Sequence, residues 1–360
     1  MRHNNLFLTA AAAAFVAGAA IAQSPPAKST DASSKSSGGW VAPGTPGSPI
    51  KGDLFHAQVL LDMAAFSPGV IDGRAGSSFT EALRGFQEAN GLQASGKLDG
   101  PTRNALLRQN RASTVMVTLT AEDVGGPFTY PFPKKYEDQA KLPALGYRNM
   151  LEKLAERYHT TPETIVALNG PDKKIGVGQQ LRLPNVVPSS RDYAGAKDKQ
   201  AQLLAALNVN GEEPQADYVV VDKSEGLLKV YRGEFPANSD QPGGQLVAQF
   251  PVTTGSSHDP LPLGNWKTTT YSFLPPFNFQ PDLFWDVSDD KAEQKLAPGP
   301  NGPVGVAWLD LTKEHYGIHG TSEPQTIGKT QSHGCLRLTN WDVMRLSLML
   351  KPGFQAKFVA

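Results

Sequence analysis

The segment Ile318–Leu338 reads "IHGTSEPQTIGKTQSHGCLRL" and contains the one cysteine of this 360-residue chain. His319 lies sixteen residues before Cys335, and His333 lies two residues before it. A cysteine nucleophile needs a base that takes the thiol proton and donors that stabilise an oxyanion, and this segment can supply both. The pattern predicts a reactive thiol at Cys335, with a buried packing cysteine and an intermolecular bridge as the alternatives.

The residues beside the thiol suit the same chemistry. Gly320 and Gly334 leave the backbone open for a substrate, and the N–H groups of Gly334 and Cys335 can converge on a developing oxyanion. Arg337 shares a side with Cys335 if the segment is extended, so it can attract a substrate carboxylate or favour the thiolate. The residues alone do not rank His319 against His333 as the base.

A zinc site built from His315, His319, His333 and Cys335 is the competing hypothesis. Gly317 stands between the first two histidines in a strand-like context, which argues against a helical HxxxH pair. The segment also has no glutamate in a motif position to serve as base. We therefore expect no metal and no cofactor.

The balance of charged residues and the N-terminal sequence restrict the class of protein. Lys+Arg and Asp+Glu both number 34, so the chain lacks the basic field that nucleic acid requires. Residues 1–22 are predicted to be a signal peptide, because the apolar run Leu6–Ile21 precedes the small residues of a cleavage site after Ala22. Residues 23–50, rich in Ser, Pro and Gly, are predicted to be a disordered linker. No later apolar run is long enough for stable membrane insertion.

Residues 51–110 are predicted to form three short helices, the first near Phe55–Met63. Ser78 and Glu81 have the spacing of a capping box, and Asn90–Gly91 is typical of a helix end. The stretch "GVIDGRAGSSFTEALRGFQEANGLQASGKLDGPTRNAL" resembles the small three-helix peptidoglycan-binding domain. This resemblance implies that the segment binds the bacterial wall.

Residues 145–185 follow a Pro-rich passage, "PFTYPFPKKYED". Thr161–Pro162 is typical of a helix start and Asn169–Gly170 of a helix end. The stretches "LAERYHTTPETIVALNG" and "IGVGQQLRLP" resemble a LysM module, which implies a βααβ unit that binds N-acetylglucosamine-containing glycan. Residues 186–215 are predicted to be a connector with one helix, about Lys197–Leu207.

Residues 216–360 change to β-branched runs such as "YVVVD", "LLKVY" and "LVAQFPVTTG". One helix is predicted after Trp341, where Trp341, Met344 and Leu348 share a face. The predicted fold class is therefore a multidomain α+β protein, with a three-helix domain, a βααβ module and a mostly-β C-terminal domain. The aromatic-rich stretch Tyr271–Pro303 is expected to be a lid or a packed hairpin, with Phe279, Phe284 and Trp285 on the substrate side.

The pattern "H-G-T…S-H-G-C-L-R-L", with the strands before it, resembles the YkuD-type L,D-transpeptidase catalytic domain. The resemblance implies that Cys335 is the acylated nucleophile and that His319 exchanges its proton. The remaining implied roles are orientation of the His319 ring by the Gly320 carbonyl, an oxyanion site at His333 and Gly334, loop fixation by Ser332, and substrate contact by Arg337.

The resemblance implies an exported enzyme that cleaves a peptidoglycan stem tetrapeptide after its third residue and releases D-alanine. A second stem or an envelope protein can accept the acyl group, whereas water would make the protein an L,D-carboxypeptidase. A non-catalytic wall-binding protein is the remaining alternative. A papain-like protease fits poorly, because its cysteine precedes its histidine. The periplasm is the expected location.

Overall fold

The computed structural model describes residues 48, 50–239, 241–256, 258–284, 286–288, 291–330, 332 and 334–360. The predicted signal peptide and nearly all of the predicted linker therefore lie outside the described residues. The helices are α1 Gly52–Met63, α2 Ser77–Ala89, α3 Gly100–Leu107, α4 Ala121–Val124, α5 Tyr136–Gln139, α6 Met150–Arg157, α7 Pro162–Asn169, α8 Asp198–Ala206 and α9 Asn340–Met349. The strands are β1 Thr114–Thr118, β2 Gln180–Pro184, β3 Tyr218–Asp222, β4 Leu227–Glu234, β5 Gly243–Pro251, β6 Gly264–Phe273, β7 Phe277–Phe279, β8 Gln294–Leu296, β9 Ala307–Leu311, β10 Gly317–His319, β11 Leu336–Arg337 and β12 Gln355–Val359.

Helices α1 to α3 form the first unit, as the sequence predicts. The Asp99 side chain caps α3 by accepting a hydrogen bond from the Thr102 N–H. The predicted capping box at Ser78 is wrong: the N-cap of α2 is Gly76, so the helix begins two residues earlier than predicted. Ser78 is therefore already inside the first turn, where its side chain no longer holds the N-cap position.

The second unit pairs β1 with β2 in an antiparallel ladder and places α6 and α7 between them. Thr161 caps α7 by accepting from the Thr164 N–H, with proline next in the chain, which confirms the predicted helix start. Strand β1 lies before residue 145, where the sequence predicts the module to begin. The Pro-rich passage, with α4 and α5, is thus inserted between β1 and α6. The LysM identity of this unit stays a prediction.

Within the described residues, the C-terminal domain has one eight-stranded sheet in the order β11-β10-β9-β6-β12-β3-β4-β5. Helix α9 covers one face, where Val219 and Val221 of β3 share a core with Trp341. The opposite face of β3 packs against the α1–α3 unit. Since β3 is covered on both faces, its sequence "YVVVD" is a continuous apolar run rather than an alternating one.

A buried ionic cluster, here named the Arg345 network, joins the three parts. The Arg345 guanidinium lies 2.9 Å from Asp62 of α1 and 3.0 Å from Glu213 of the connector. His159, which follows α6, donates from its ring to Asp62 at 3.0 Å, and Asp342 of α9 lies 3.6 Å from Arg345. The N-terminal units are therefore docked on the C-terminal domain.

Across the residues that the structure describes, no helix combines the length and the apolar character of a membrane span.

Candidate active site

Strands β10 and β11 lie side by side and carry the motif of the sequence. They are parallel, with Ile318 opposite Leu336 and His319 opposite Arg337. Ile318 and Leu336 are buried in the core. Because side chains alternate along a strand, His319 and Arg337 face the other side of the sheet together. Cys335, two residues before Arg337, is brought to the same side, where the charge of Arg337 acts on both His319 and Cys335.

The His319 ring is held in one tautomer. Its Nδ1 lies 2.7 Å from the carbonyl oxygen of Gly320. A carbonyl oxygen can only accept, so Nδ1 carries the proton and Nε2 has the free lone pair. The ring also stacks on Trp308, with centroids 5.4 Å apart. The contact with Gly320 is the one that the family resemblance implies, and it leaves Nε2 able to take a proton.

Burial and the positive charge of Arg337 lower the pKa of His319 to about 3. The imidazole is therefore neutral at pH 7. Burial raises the pKa of the Cys335 thiol to about 11, against the opposing effects of the Gly317 N–H and of Arg337. The Cys335 Sγ also lies 3.6 Å from the carbonyl oxygen of His315, in the arrangement of a weak thiol hydrogen bond. Without substrate the pair is a thiol and a neutral base, not a thiolate and an imidazolium.

This pairing predicts the pH dependence of thiol alkylation. A pKa near 11 leaves a thiolate fraction of roughly 10⁻⁴ at pH 7, since each pH unit below the pKa lowers it tenfold. Iodoacetamide should therefore modify Cys335 slowly at pH 7, and the rate should still rise above pH 9. Glutathione, titrated alongside, should approach its plateau first. A rate that is already constant below pH 7 would instead show a preformed thiolate–imidazolium pair.

The loop before the cysteine is tied to a neighbouring segment. The Ser332 hydroxyl donates to the carbonyl of Cys335 at 2.6 Å. The Ser332 N–H bonds to the Thr254 carbonyl at 3.0 Å, and the Ser256 N–H returns a bond to Ser332 at 3.1 Å. These contacts connect the chain on both sides of position 333 to residues 254–256. His333 itself lies outside the described residues.

Gly334 has a conformation and a neighbour that both exclude a side chain. Its φ is +98°, and a Cβ there would lie 2.8 Å from the Tyr316 ring. Gly353 has nearly the same φ, +96°, but open space around it. The two glycines therefore allow the cost of the backbone conformation to be separated from the cost of the contact with Tyr316.

We expect Gly334→Ala to lower the melting temperature more than Gly353→Ala does. Gly353→Ala is destabilised only by its left-handed backbone conformation, by about 1–3 kcal/mol. Gly334→Ala has the same strain and also displaces the Tyr316 ring beside the thiol. Alkylation of Cys335 should change in the Gly334 variant alone. Equal melting temperatures and equal alkylation rates in the two variants would show that the Tyr316 contact has no effect.

The aromatic stretch after β6 forms a packed hairpin of β7 and β8. Phe279 is buried there, with ring centroids 5.2 Å from Phe284 and 4.5 Å from Tyr136 of α5. A contact of Phe279 with substrate stays a prediction. Trp285 lies outside the described residues.

Tyr136 is a candidate site residue that the sequence reasoning missed. It belongs to the inserted passage before α6, yet the charge of Arg337 acts on its phenol and lowers its pKa against the larger effect of burial, which raises it. From sequence the passage was described only as Pro-rich, and no site residue was predicted in it. Its aromatic residues, which are unusual in a linker, were the available signal: Phe128, Tyr130, Phe132 and Tyr136.

Among the described residues, no three His, Cys, Asp or Glu side chains are grouped as metal ligands would be. The His315 side chain is 57% exposed and lies 3.6 Å from Glu314. The four-residue zinc hypothesis includes His333 and so reaches beyond the described residues.

Comparison with known proteins agrees with this arrangement. Residues 216–357 match the YkuD family, described as the L,D-transpeptidase catalytic domain. A YkuD catalytic domain is found in this chain. Residues 52–106, which include α1 to α3, match the family described as "Putative peptidoglycan binding domain".

Individual relatives cover shorter stretches. The chain is 52% identical over 56 residues to "Putative L,D-transpeptidase YkuD" of Bacillus licheniformis, which is 16% of this chain and 34% of the relative. It is 25% identical over 139 residues to "Putative L,D-transpeptidase YqjB" of Bacillus subtilis, covering 37% of this chain and 65% of that protein. The chain thus spans about a third of the length of its YkuD relative.

Among solved structures, an L,D-transpeptidase from Mycobacterium smegmatis aligns with 40% of this chain and 59% of its own, with 18% identity and a TM-score of 0.30.

Proposed function

We propose that this protein is an exported peptidoglycan L,D-transpeptidase that works through a thioester on Cys335. The observation that supports this most is the fixed tautomer of His319. Its Nδ1 proton is directed to Gly320, so the unprotonated Nε2 is available on the sheet face that also carries Cys335. The match of residues 216–357 to the YkuD family agrees with this chemistry.

The reaction begins when the Cys335 sulfur attacks the carbonyl carbon after the third stem residue. As the S–C bond forms, Nε2 of His319 takes the thiol proton, and it then gives that proton to the nitrogen of the departing D-alanine as the C–N bond breaks. An amine next attacks the thioester, its proton passes to Nε2, and the thiol is restored. General base catalysis of this kind contributes roughly 10²–10⁴-fold.

Other residues are proposed to bind the substrate and its developing charge. The N–H groups of Gly334 and Cys335, with His333, would stabilise the oxyanion. Arg337 would attract the carboxylates of the stem, and Phe279 and Trp285 would line the cleft. Because α1 to α3 are docked on the sheet, a wall-binding surface there would hold stem peptides near the thiol at a raised effective concentration.

The acceptor and the location are part of the proposal. The acceptor is the amine of a second stem or of an envelope protein, and the apolar leader Leu6–Ile21 supports export to the periplasm. The LysM-like unit would add a second contact with glycan.

Purified protein incubated with disaccharide-tetrapeptide tests the proposal by mass spectrometry. A dimer that has lost one alanine is the expected product. Tripeptide without dimer would make the protein an L,D-carboxypeptidase instead. If neither product forms at any protein concentration, the protein is a non-catalytic wall binder and the proposal is overturned.

A further inference from the structure

Helix α6, in the second unit, places a buried carboxyl group next to the catalytic domain. Glu156 is 6% exposed and lies 184 positions from Asn340 in the chain. Its Oε1 accepts a hydrogen bond from the Asn340 Nδ2, and burial raises its pKa to about 7 against hydrogen bonds from Tyr147 and Asn340. Burying such a group is costly unless its hydrogen bonds are satisfied, so its presence here needs an explanation.

Asn340 uses both ends of its amide. Its Oδ1 accepts from the Val306 N–H at 3.0 Å, while its Nδ2 donates to Glu156 and to the carbonyl of Pro300, the latter at 3.3 Å. The residue is fully buried at the start of α9. Its amide plane is therefore set by partners on both sides, and Glu156 is the one that comes from the N-terminal half.

The Asn340 amide in turn packs on Gly320. A Cβ built on Gly320 would lie only 2.0 Å from the Asn340 Oδ1. The Gly320 N–H is bonded to the Ala307 carbonyl at 3.2 Å, so this peptide is confined between β9 and Asn340. The carbonyl of the same residue accepts the Nδ1 proton of His319 at 2.7 Å.

We propose that Glu156 is a positioning residue, which fixes the His319 imidazole through Asn340 and Gly320. This inference rests on the proposed function, because it assigns His319 as the base. If Glu156 loses its acceptor oxygen, the Asn340 amide can rotate away from Gly320. The Gly320 carbonyl then no longer holds Nδ1–H, and Nε2 loses its defined direction. The N-terminal half would thus complete the catalytic site, beyond binding the wall.

The test compares Glu156→Met, Glu156→Gln and Gln200→Met in the full-length protein. Glutamine keeps an acceptor oxygen for Asn340, whereas methionine fills the space without one. Gln200 is the matched control: it is 9% exposed and donates to Ser347 of the same helix α9 at 3.1 Å, but it belongs to α8 and does not touch Gly320.

For D-alanine release we expect Glu156→Met to lower kcat by up to roughly 10²-fold with KM almost unchanged, as misplacement of a base does. Glu156→Gln should stay near wild type. Gln200→Met should lower the melting temperature without changing kcat. A purely structural role would instead make kcat follow the melting temperature in both methionine variants, and that result would overturn the proposal.

A second readout does not need activity. Long-range ¹⁵N–¹H spectra of ¹⁵N-histidine protein, with His319 assigned from its own variant, should show Nδ1–H in wild type and in Glu156→Gln. Glu156→Met should give a mixture of tautomers. If it does not fold, Asn340→Ala, which removes the amide that links Glu156 to Gly320, should give the same mixture. An unchanged tautomer in a folded variant contradicts the inference, whereas wild type with Nδ1–H but no D-alanine release contradicts the proposed function alone.

Discussion

Replacing Cys335 with alanine is expected to abolish both the cross-linked dimer and the released D-alanine, a loss of roughly 10⁴-fold or more. Without the sulfur no thioester can form, and no other cysteine exists in the chain to replace it. Intact-protein mass spectrometry should show an added disaccharide-tripeptide acyl group on wild type after brief incubation, and none on the variant. The measurement is the rate of product formation, with the adduct mass as a second signal.

The same substitution should leave the fold almost unchanged. Cys335 is half-buried, and its thiol makes a weak hydrogen bond to the carbonyl of His315 at 3.6 Å. We expect a change of less than about 1 kcal/mol in the free energy of unfolding. Cys335→Ser is the matched variant, because it replaces the thiol with a hydroxyl of similar size, and His319 cannot readily activate that hydroxyl. Equal product formation by wild type and Cys335→Ala would rule out the nucleophile.

Arg345→Met should give the largest loss of stability. The guanidinium is 1% exposed and lies within 4 Å of three carboxyl groups, those of Asp62, Glu213 and Asp342. Removing one partner of a buried pair leaves charges without compensation and costs about 3–5 kcal/mol. Denaturant unfolding at pH 7 measures this directly.

The loss of stability in Arg345→Met should grow as the pH rises. Burial raises the pKa of Glu213 to about 7 and that of Asp342 to about 6, although Arg345 opposes both shifts. Without the guanidinium these values rise further, so the folded variant holds protons that its unfolded chain releases above about pH 4. The stability of the variant therefore falls as pH rises. The difference in free energy of unfolding between wild type and variant should be larger at pH 8 than at pH 5.

Arg84→Met is the control for this prediction. Arg84 forms an ion pair with Glu81 at 2.6 Å, but its side chain is 50% exposed. Exposed pairs contribute about 0–1 kcal/mol, so this variant should unfold almost like wild type. If Arg345→Met is equally stable at both pH values, its carboxyl groups bind no more protons in the folded than in the unfolded chain, and the expected rise of their pKa values is wrong.

The Arg345 network also holds the N-terminal units against the C-terminal domain. From sequence they were expected to bind the wall and so bring the enzyme near its substrate. In the structure, Asp62 of α1 accepts a hydrogen bond from Arg345 of α9, and His159 is bonded to the same Asp62. Helix α9 follows β11 in the chain. A disturbance of this interface would therefore reach the helix that begins at Asn340, next to Gly320.

Several elements could be predicted because their signals are local. Thr161–Pro162 starts α7, the connector helix predicted at Lys197–Leu207 is α8, and the β-branched runs are strands. A cap, a proline or a β-branched run acts on its own few residues, so it is visible in a short window. The motif around Cys335 was visible for the same reason.

Contacts between distant segments were not predictable in this way. Strand β1 and Tyr136 lie between the predicted units 51–110 and 145–185, and no ion pair was predicted for Arg345. No spacing rule relates Asp62 to a position 283 residues away, or Glu156 to one 184 residues away.

The chain's linear order is enough to identify a thiol with an upstream histidine in strand-like flanks, since nearest-neighbour sterics and alternation act within a few residues. Folding alone brings a carboxyl group from α6 to Asn340 and sets the pKa values of Cys335 and His319. Burial and charge depend on everything packed around a group, and that environment is assembled from all parts of the chain.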